Sequence, residues 1–351
     1  MSKPTLVRMS WTDLNSSYLE WILQEYFTLE TYNLNKTYDR ESTIFVVSRP
    51  EHIPPQLLEN HIEKGYKLIL ANLWEARPFF KPDDLKDYLD NVLVILGCKN
   101  SFDYGWKNIV NIPNWFWYNE SLWYSCDKNF APLKNYQPNR TNNKKFFMPI
   151  RRQKPFRTQI VETLEPVLDD ATWSYCERWM DGRRLVTDES SPIAHQAWDR
   201  QFSEEWYNDT YFSVAVETAC GHNPAEIENQ GLRGDQEVPC ELFVTEKTFK
   251  PIAFRHPFQV LAMPGTLQFL KQNGFETYDH IFDESYDHMP FFDDRLNQVL
   301  INIVEFDQNK YNDPLTEQKM EHNYQLFYNR DRVVNGIKQE LIEPMLEWIN
   351  Q

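Results

Sequence analysis

The segment "STIFVVSRPEHIPPQLLENHIEKGYKLILAN" (residues 42–72) holds two apolar, β-branched runs separated by a stretch with a helical pattern. Prolines precede the helical stretch and a glycine follows it, which are typical helix boundaries. Near-continuous apolar strands joined by a helix indicate a parallel sheet that is covered on both faces. The segment therefore predicts an α/β fold for this part of the chain.

The same alternation continues along the sequence in two series. A polar, proline-containing stretch at residues 125–145 separates the series and is the best linker candidate. We expect two Rossmann-like, doubly wound domains that face each other across a cleft, with helices at the C-terminus. The expected bounds are residues 1–135 and 136–330 for the two domains, and residues 331–351 for a final helix that packs back on them. The further predicted strands are "NVLVILGC" (91–98), "NIVNIP" (108–113), "KFFMPI" (145–150), "YFSVAVET" (211–218) and "FQVLAM" (258–263).

Composition narrows the class of protein. The net charge of −16 disfavours binding to nucleic acid or to an anionic membrane over most of the surface. The five cysteines include no C-x-x-C pair, so we expect neither a disulfide framework nor a zinc site. The first residues show no apolar leader and no apolar run is long enough to cross a membrane, so we expect a cytoplasmic protein. The aromatic run "NWFWYNESLWY" (114–124) is expected to be a core helix rather than a sugar-stacking platform.

Common cofactor and nucleophile motifs are absent from the sequence. It contains no G-x-G-x-x-G, no Walker A motif, no G-x-S-x-G and no H-E-x-x-H. The acidic run "DESYD" (283–287) suggests a metal site, but a solvated loop is the simpler interpretation. We therefore expect no cofactor and no bound metal.

The stretch "FVTEKTFKPIAF" (243–254) carries the chemistry instead. Lys247 lies near a predicted helix start, where a cation and free backbone N–H groups together favour an anion. Thr245 is a candidate N-cap. Pro251 suits the first turn of a helix, which places the expected helix start near Phe249.

Together with "YFSVAVET", "HPFQVLAMPG" (256–265) and "KPFRTQIVETLEPV" (154–167), this stretch resembles the donor-binding region of α1,3-fucosyltransferases. The resemblance covers residues 144–275 and implies a GT-B-like glycosyltransferase without the metal-binding D-x-D motif. The second domain would then bind the nucleotide-sugar donor, with GDP-fucose as the family's donor, and the first would bind the acceptor. It places the following residues at the donor: Arg157, Glu217, Phe243, Thr245, Glu246 and Lys247.

A weaker match in "KLILANLWEARPF" (67–79) implies that Glu75 is the general base of an inverting transfer to a hydroxyl acceptor. Three departures from the family pattern leave the nucleotide and the sugar of the donor open. Phe243 replaces a family tyrosine, Thr218 and Ala219 follow the strand glutamate, and residues 220–241 form a longer loop than the family usually has.

Simpler interpretations remain open for each residue and for the whole chain. Lys247 is also consistent with a solvated lysine, and Arg157 with a surface ion pair to Glu162 or Glu165. Two alternative functions are also open for the chain. It could be a non-catalytic protein that binds a nucleotide-sugar or glycan, or a glycosyltransferase that acts on modified DNA bases. The last would need the basic run at residues 143–157 to form an electropositive groove.

Overall fold

The chain folds into two compact units. One comprises Met1–Trp123 together with Arg330–Gln351, and the other comprises Tyr124–Asn329. The computed structural model describes residues 3–9, 18–47, 55–72, 86–97, 107–113, 118, 138–150, 155–175, 204–217, 220 and 242–351.

A six-stranded parallel sheet forms the first unit, in the strand order β2-β1-β3-β4-β5-β6. Strands β3 and β5 consist of buried residues only, as expected for a sheet that is covered on both faces. The strands are β1 (Thr5–Arg8), β2 (Thr28–Thr31), β3 (Thr43–Val47), β4 (Lys67–Asn72), β5 (Val92–Leu96) and β6 (Ile109–Asn111).

A four-stranded parallel sheet forms the second unit, in the order β10-β9-β7-β8. Its two central strands, β7 and β9, contain Phe146, Phe147 and Phe212, whose side chains are essentially inaccessible to solvent. The strands are β7 (Lys144–Pro149), β8 (Ala171–Ser174), β9 (Thr210–Val216) and β10 (Phe258–Leu261).

Both sheets have the same doubly wound order. In each, the first strand of the unit lies between the second and the third, so the chain reverses its direction of winding at β1/β3 and at β7/β9. Such a switch point opens a crevice beyond the carboxyl ends of the two strands, and α/β proteins bind their ligands there. The β7/β9 point is therefore the first place to look for a site in the second unit.

Helices flank the two sheets. The described α-helices are α1 (Tyr18–Tyr26), α2 (Pro55–Glu63), α3 (Pro155–Leu164), α4 (Glu204–Asn208), α5 (Glu246–Ala253), α6 (Thr266–Gln272), α7 (Phe292–Val304), α8 (Gln308–Tyr311), α9 (Pro314–Phe327), α10 (Arg330–Ile337) and α11 (Glu343–Ile349). A π-helical turn, Lys338–Ile342, joins the last two. No helix among these residues combines the length and apolar character that a membrane span requires.

The structure confirms the predicted α/β class with two parallel sheets. One helix start was predicted wrongly, because α5 begins at Glu246 and not near Phe249. Pro251 therefore lies inside the helix, where its missing N–H removes one bond from the last turn only. Of the aromatic run at residues 114–124, only Tyr118 is among the described residues, and its side chain is buried.

Candidate functional site

The chain brings two predicted groups of residues to the β7/β9 switch point. Arg157 lies in the first turn of α3, the helix that follows β7. Glu217 follows the last residue of β9 directly, and α5 begins downstream of it. Both groups therefore belong to connections that leave the carboxyl ends of neighbouring strands.

The carboxylate of Glu217 is buried and holds the start of α5. Its Oε1 accepts hydrogen bonds from the Thr245 backbone N–H at 2.9 Å and from the Thr248 hydroxyl at 2.6 Å. Its Oε2 accepts from the Thr245 hydroxyl at 2.5 Å. A buried carboxylate is stable only when such donors replace the lost water, so these threonines account for its burial.

Lys247 projects from the first turn of α5 and forms a compact polar cluster. Its Nζ donates to Glu246 Oε1 at 2.8 Å and to Thr245 Oγ1 at 3.1 Å. The Lys247 side chain is 18% exposed and that of Glu246 16% exposed. Lys247 is thus a largely buried ion-pair partner and not a solvated lysine.

The carboxyl group of Glu246 is ionised at neutral pH. Burial raises the pKa of its carboxyl group, but the attraction of Lys247 and Lys250 outweighs this and lowers the pKa to about 2. Within the part of the chain that the structure describes, Glu246 Oε2 has no hydrogen-bond partner. The site therefore contains a carboxylate with a fixed negative charge, one oxygen of which is buried.

Arg157 is buried, with 5% of its surface exposed, and does not lie on the helix surface. Burial lowers the pKa of its guanidinium, and the negative charges of Glu217 and Glu246 offset this only in part. An arginine keeps its proton under such conditions, so Arg157 is a buried cation within electrostatic range of both glutamates. The charges of Arg157 and Lys247 thus both act on Glu246.

Two further predicted residues are Phe243 and Glu75. Phe243 is buried, with 2% of its surface exposed, as are its neighbours Leu242 and Val244. Its ring belongs to the core beneath the start of α5. Glu75, the expected general base, lies outside the described residues.

Sequence reasoning missed Thr248 and Lys250, although both lie in the quoted motif. Thr248 bonds to Glu217, and Lys250 is a buried cation whose charge acts on Glu246. The available signal was the spacing, because Thr248 lies three residues after the cap Thr245 and Lys250 four residues after Glu246. Arg295 was also missed, and its guanidinium donates to the backbone oxygen of Cys220, four residues after the end of β9.

The acidic run at residues 283–287 is not a solvated loop, because Glu284–His288 forms a 3-10 helix with a buried aspartate. Asp287 is buried, and its two oxygens accept from the backbone N–H groups of Leu267 and Gln268 at 2.9 and 3.0 Å. Glu284 accepts from the backbone of Tyr278 at 2.7 Å. The described residues contain no cluster of three or more metal-ligating side chains. An internal carboxylate thus occupies the N-terminus of α6.

Fold and site together define an α/β protein with a buried, charged cluster at a switch point. No protein-family model matches the sequence, and no curated protein sequence matches it.

Solved structures of α1,3-fucosyltransferases are similar to the fold. One, solved with GDP, is 12% identical with a TM-score of 0.47, covering 95% of this chain and 93% of that chain. Another is 12% identical with a TM-score of 0.46, covering 88% of this chain and 80% of that chain. At this identity, the likeness is one of fold.

Proposed function

We propose that the chain is an inverting, metal-independent glycosyltransferase that moves a sugar from a nucleoside diphosphate donor to a hydroxyl acceptor. One observation carries the proposal. Arg157 and Lys247 are far apart in sequence, yet the charges of both act on Glu246, beside the β7/β9 switch point. Cations that converge there suit a pyrophosphate, because open α/β sheets bind nucleotides at such points.

The chemistry explains why these residue types suit the reaction. The acceptor oxygen forms a bond to the anomeric carbon, and the bond from that carbon to the phosphate oxygen breaks. The electron pair leaves with the nucleoside diphosphate, which gains negative charge. Fixed cations stabilise such a developing charge, and Arg157 and Lys247 would supply them in place of a metal.

The glutamates have separate parts in this proposal. Glu246 would accept a hydrogen bond from a ribose hydroxyl, since its side chain is partly exposed and its charge is fixed. Glu217 is engaged by the threonines and so acts by orienting α5. Glu75 would take the proton of the acceptor hydroxyl as the general base. GDP is the expected nucleotide and fucose one candidate sugar, on the strength of the sequence resemblance.

Thermal denaturation with a panel of nucleotides tests donor binding. We expect GDP to stabilise the protein in the presence of EDTA more than UDP or GMP does. A ligand at one hundred times its Kd stabilises by about 2.7 kcal/mol. This corresponds to a rise in Tm of roughly 5 °C for a protein of this size. Equal melting curves with and without all nucleotides would contradict donor binding.

Turnover distinguishes an enzyme from a binding protein. We expect slow release of GDP from a GDP-sugar, accelerated by an acceptor, and at least about 100-fold slower in Glu75→Gln, given the usual contribution of a general base. GDP affinity should be unchanged in that variant, because Glu75 would contact the acceptor. GDP binding without any release of GDP from the panel of GDP-sugars would favour the non-catalytic alternative.

A further inference from the structure

The first turn of α5 is capped by a side chain from another element. In a capping box, a glutamate at the third helical position reaches back to the backbone N–H of the N-cap residue. Here Thr245 is the N-cap, and Thr248 occupies that third position. The carboxylate that accepts the Thr245 N–H comes from Glu217, 28 residues earlier. Thr248 bonds the same carboxylate oxygen and so completes the arrangement.

The hydrogen bonds of this cap have a fixed direction. A carboxylate only accepts, so both threonine hydroxyls must give their single protons to Glu217. The lone pairs of Thr245 Oγ1 are then turned toward Lys247, whose Nζ donates to it at 3.1 Å. A chain of donors therefore runs from the Lys247 ammonium through Thr245 to Glu217.

Burial makes this arrangement rigid. Glu217 and Thr248 have no exposed surface, and Thr245 is 1% exposed. Lys247 and Glu246 are the adjoining residues with partial access to solvent. The positions of the three buried residues thus determine the positions of the two partly exposed residues, Lys247 and Glu246.

We propose that Thr248 is a positioning residue of the donor site, which acts through Glu217 and Thr245 to hold Lys247 and Glu246 toward the donor. This inference rests on the proposed function. It assigns a role to a residue outside the resembling V-T-E-K segment. Thr248 does not touch the donor in this account, because its hydroxyl is buried against the carboxylate.

Three variants separate positioning from simple stabilisation. Thr248→Val removes the hydroxyl but keeps the shape of the side chain, and Thr248→Ser keeps the hydroxyl. The matched control is Thr210→Val at the opposite end of β9. Thr210 is equally buried, and its hydroxyl donates to the Trp206 oxygen at 2.8 Å. Should Thr248→Val fail to fold, Thr248→Ala removes the same hydroxyl without adding a methyl group near the carboxylate.

The first measurement is GDP affinity by calorimetry in EDTA. We expect Thr248→Val to bind GDP about tenfold more weakly than the wild type, and Thr248→Ser to bind within about twofold of it. Thr210→Val should bind as the wild type does, although both valine variants melt at lower temperature. A lower Tm for Thr248→Val with unchanged GDP affinity would overturn the inference.

The second measurement needs no ligand. The Glu246 carboxyl group is followed by carbon NMR during an acid titration, with its signal assigned by its loss in Glu246→Gln. Its pKa of about 2 depends on the nearness of the lysines. We expect Thr248→Val to raise this pKa and Thr210→Val to leave it unchanged. An unchanged Glu246 titration in Thr248→Val would contradict the positioning role of Thr248. Failure of the wild type to bind GDP would instead reject the proposed function, and the titration would still test the positioning role.

Discussion

At the scale of the residue, buried polar groups fix both ends of β9. Glu217 holds its carboxyl end, and His256 holds its beginning. His256 Nε2 donates to the backbone oxygen of Thr210 at 2.8 Å, and Nδ1 accepts from the Ser213 hydroxyl at 2.8 Å. This pattern requires a neutral imidazole. Burial, together with the charge of Arg140, lowers the pKa of His256 well below 6.5.

His256 should make stability depend on pH. Its pKa in the folded protein lies below that in the unfolded chain, so its contribution is complete above about pH 6.5 and is lost as the pH falls. We expect the loss to approach about 1.4 kcal/mol per pH unit. Urea denaturation between pH 7.5 and 5.0 measures it.

His256→Gln should be less stable at pH 7.5 but should lose less stability on acidification. The exposed His322 offers a control, and His322→Gln should keep the wild-type pH dependence. Identical slopes of stability against pH in the wild type and His256→Gln would contradict this assignment.

At the scale of the element, two helices show how differently an N-cap can be supported. Thr245 caps α5 from a buried position and also donates twice to Glu217. Asp313 caps α9 at the surface, where its Oδ1 accepts from the Leu315 N–H at 2.8 Å. Both caps satisfy a backbone N–H, but only the first also supports a buried carboxylate.

Thr245→Ala should therefore cost more stability than Asp313→Ala. We expect about 1 kcal/mol for the surface cap. We expect roughly 3 kcal/mol for Thr245→Ala, since it also removes a donor from a buried charge. Thr245→Ser should recover most of the loss. Denaturant titration of the three variants checks this, and equal losses for the two alanine variants would show that Glu217 does not depend on Thr245.

At the scale of the whole molecule, the C-terminal segment completes the first unit. The Trp348 indole donates to the Asp90 oxygen at 3.3 Å. Lys67 Nζ donates to the Trp348 and Ile349 oxygens at 2.9 and 2.6 Å. A cation at the last carbonyls stabilises a helix end, so Lys67 in β4 holds the end of α11. Leu341 and Met345 line a small cavity together with Ile69 and Ile95 of the sheet.

Trp348→Ala should destabilise the first unit by about 3–5 kcal/mol, as for other buried aromatic residues. Hydrogen exchange followed by mass spectrometry can locate the effect. We expect faster exchange in β4 and β5 and unchanged exchange in β9 and β10, because the segment belongs to the first unit. The exposed neighbour Glu347 supplies the control variant Glu347→Ala. Faster exchange in β9 alone would contradict this division.

The sequence predicted much of this fold because both sheets are parallel and buried. Runs such as those of β3, β5 and β9 are apolar on both faces, and this signal does not depend on distant contacts. Strands β1 and β2 were missed. They have four residues each, and both ends of β2 are exposed, so neither gives a continuous apolar run.

The site was predictable where local chemistry specifies it. Thr245 was foreseen as an N-cap because threonine at a helix start has a local role. The contact of Thr248 with Glu217 is a tertiary one, whereas Glu246 and Lys250 interact within one helix. The prediction of a solvated loop at residues 283–287 failed because a tertiary contact decides the structure there. The donors to Asp287 come from α6.

The most direct test of the central claim is calorimetric titration with GDP in EDTA, for the wild type, Arg157→Gln and Lys247→Gln. The exposed Lys310 in the same unit supplies the matched control Lys310→Gln. If both cations bind one pyrophosphate, each site variant should bind GDP at least about tenfold more weakly, while Lys310→Gln binds as the wild type does. Wild-type affinity in folded Arg157→Gln and Lys247→Gln would contradict the account.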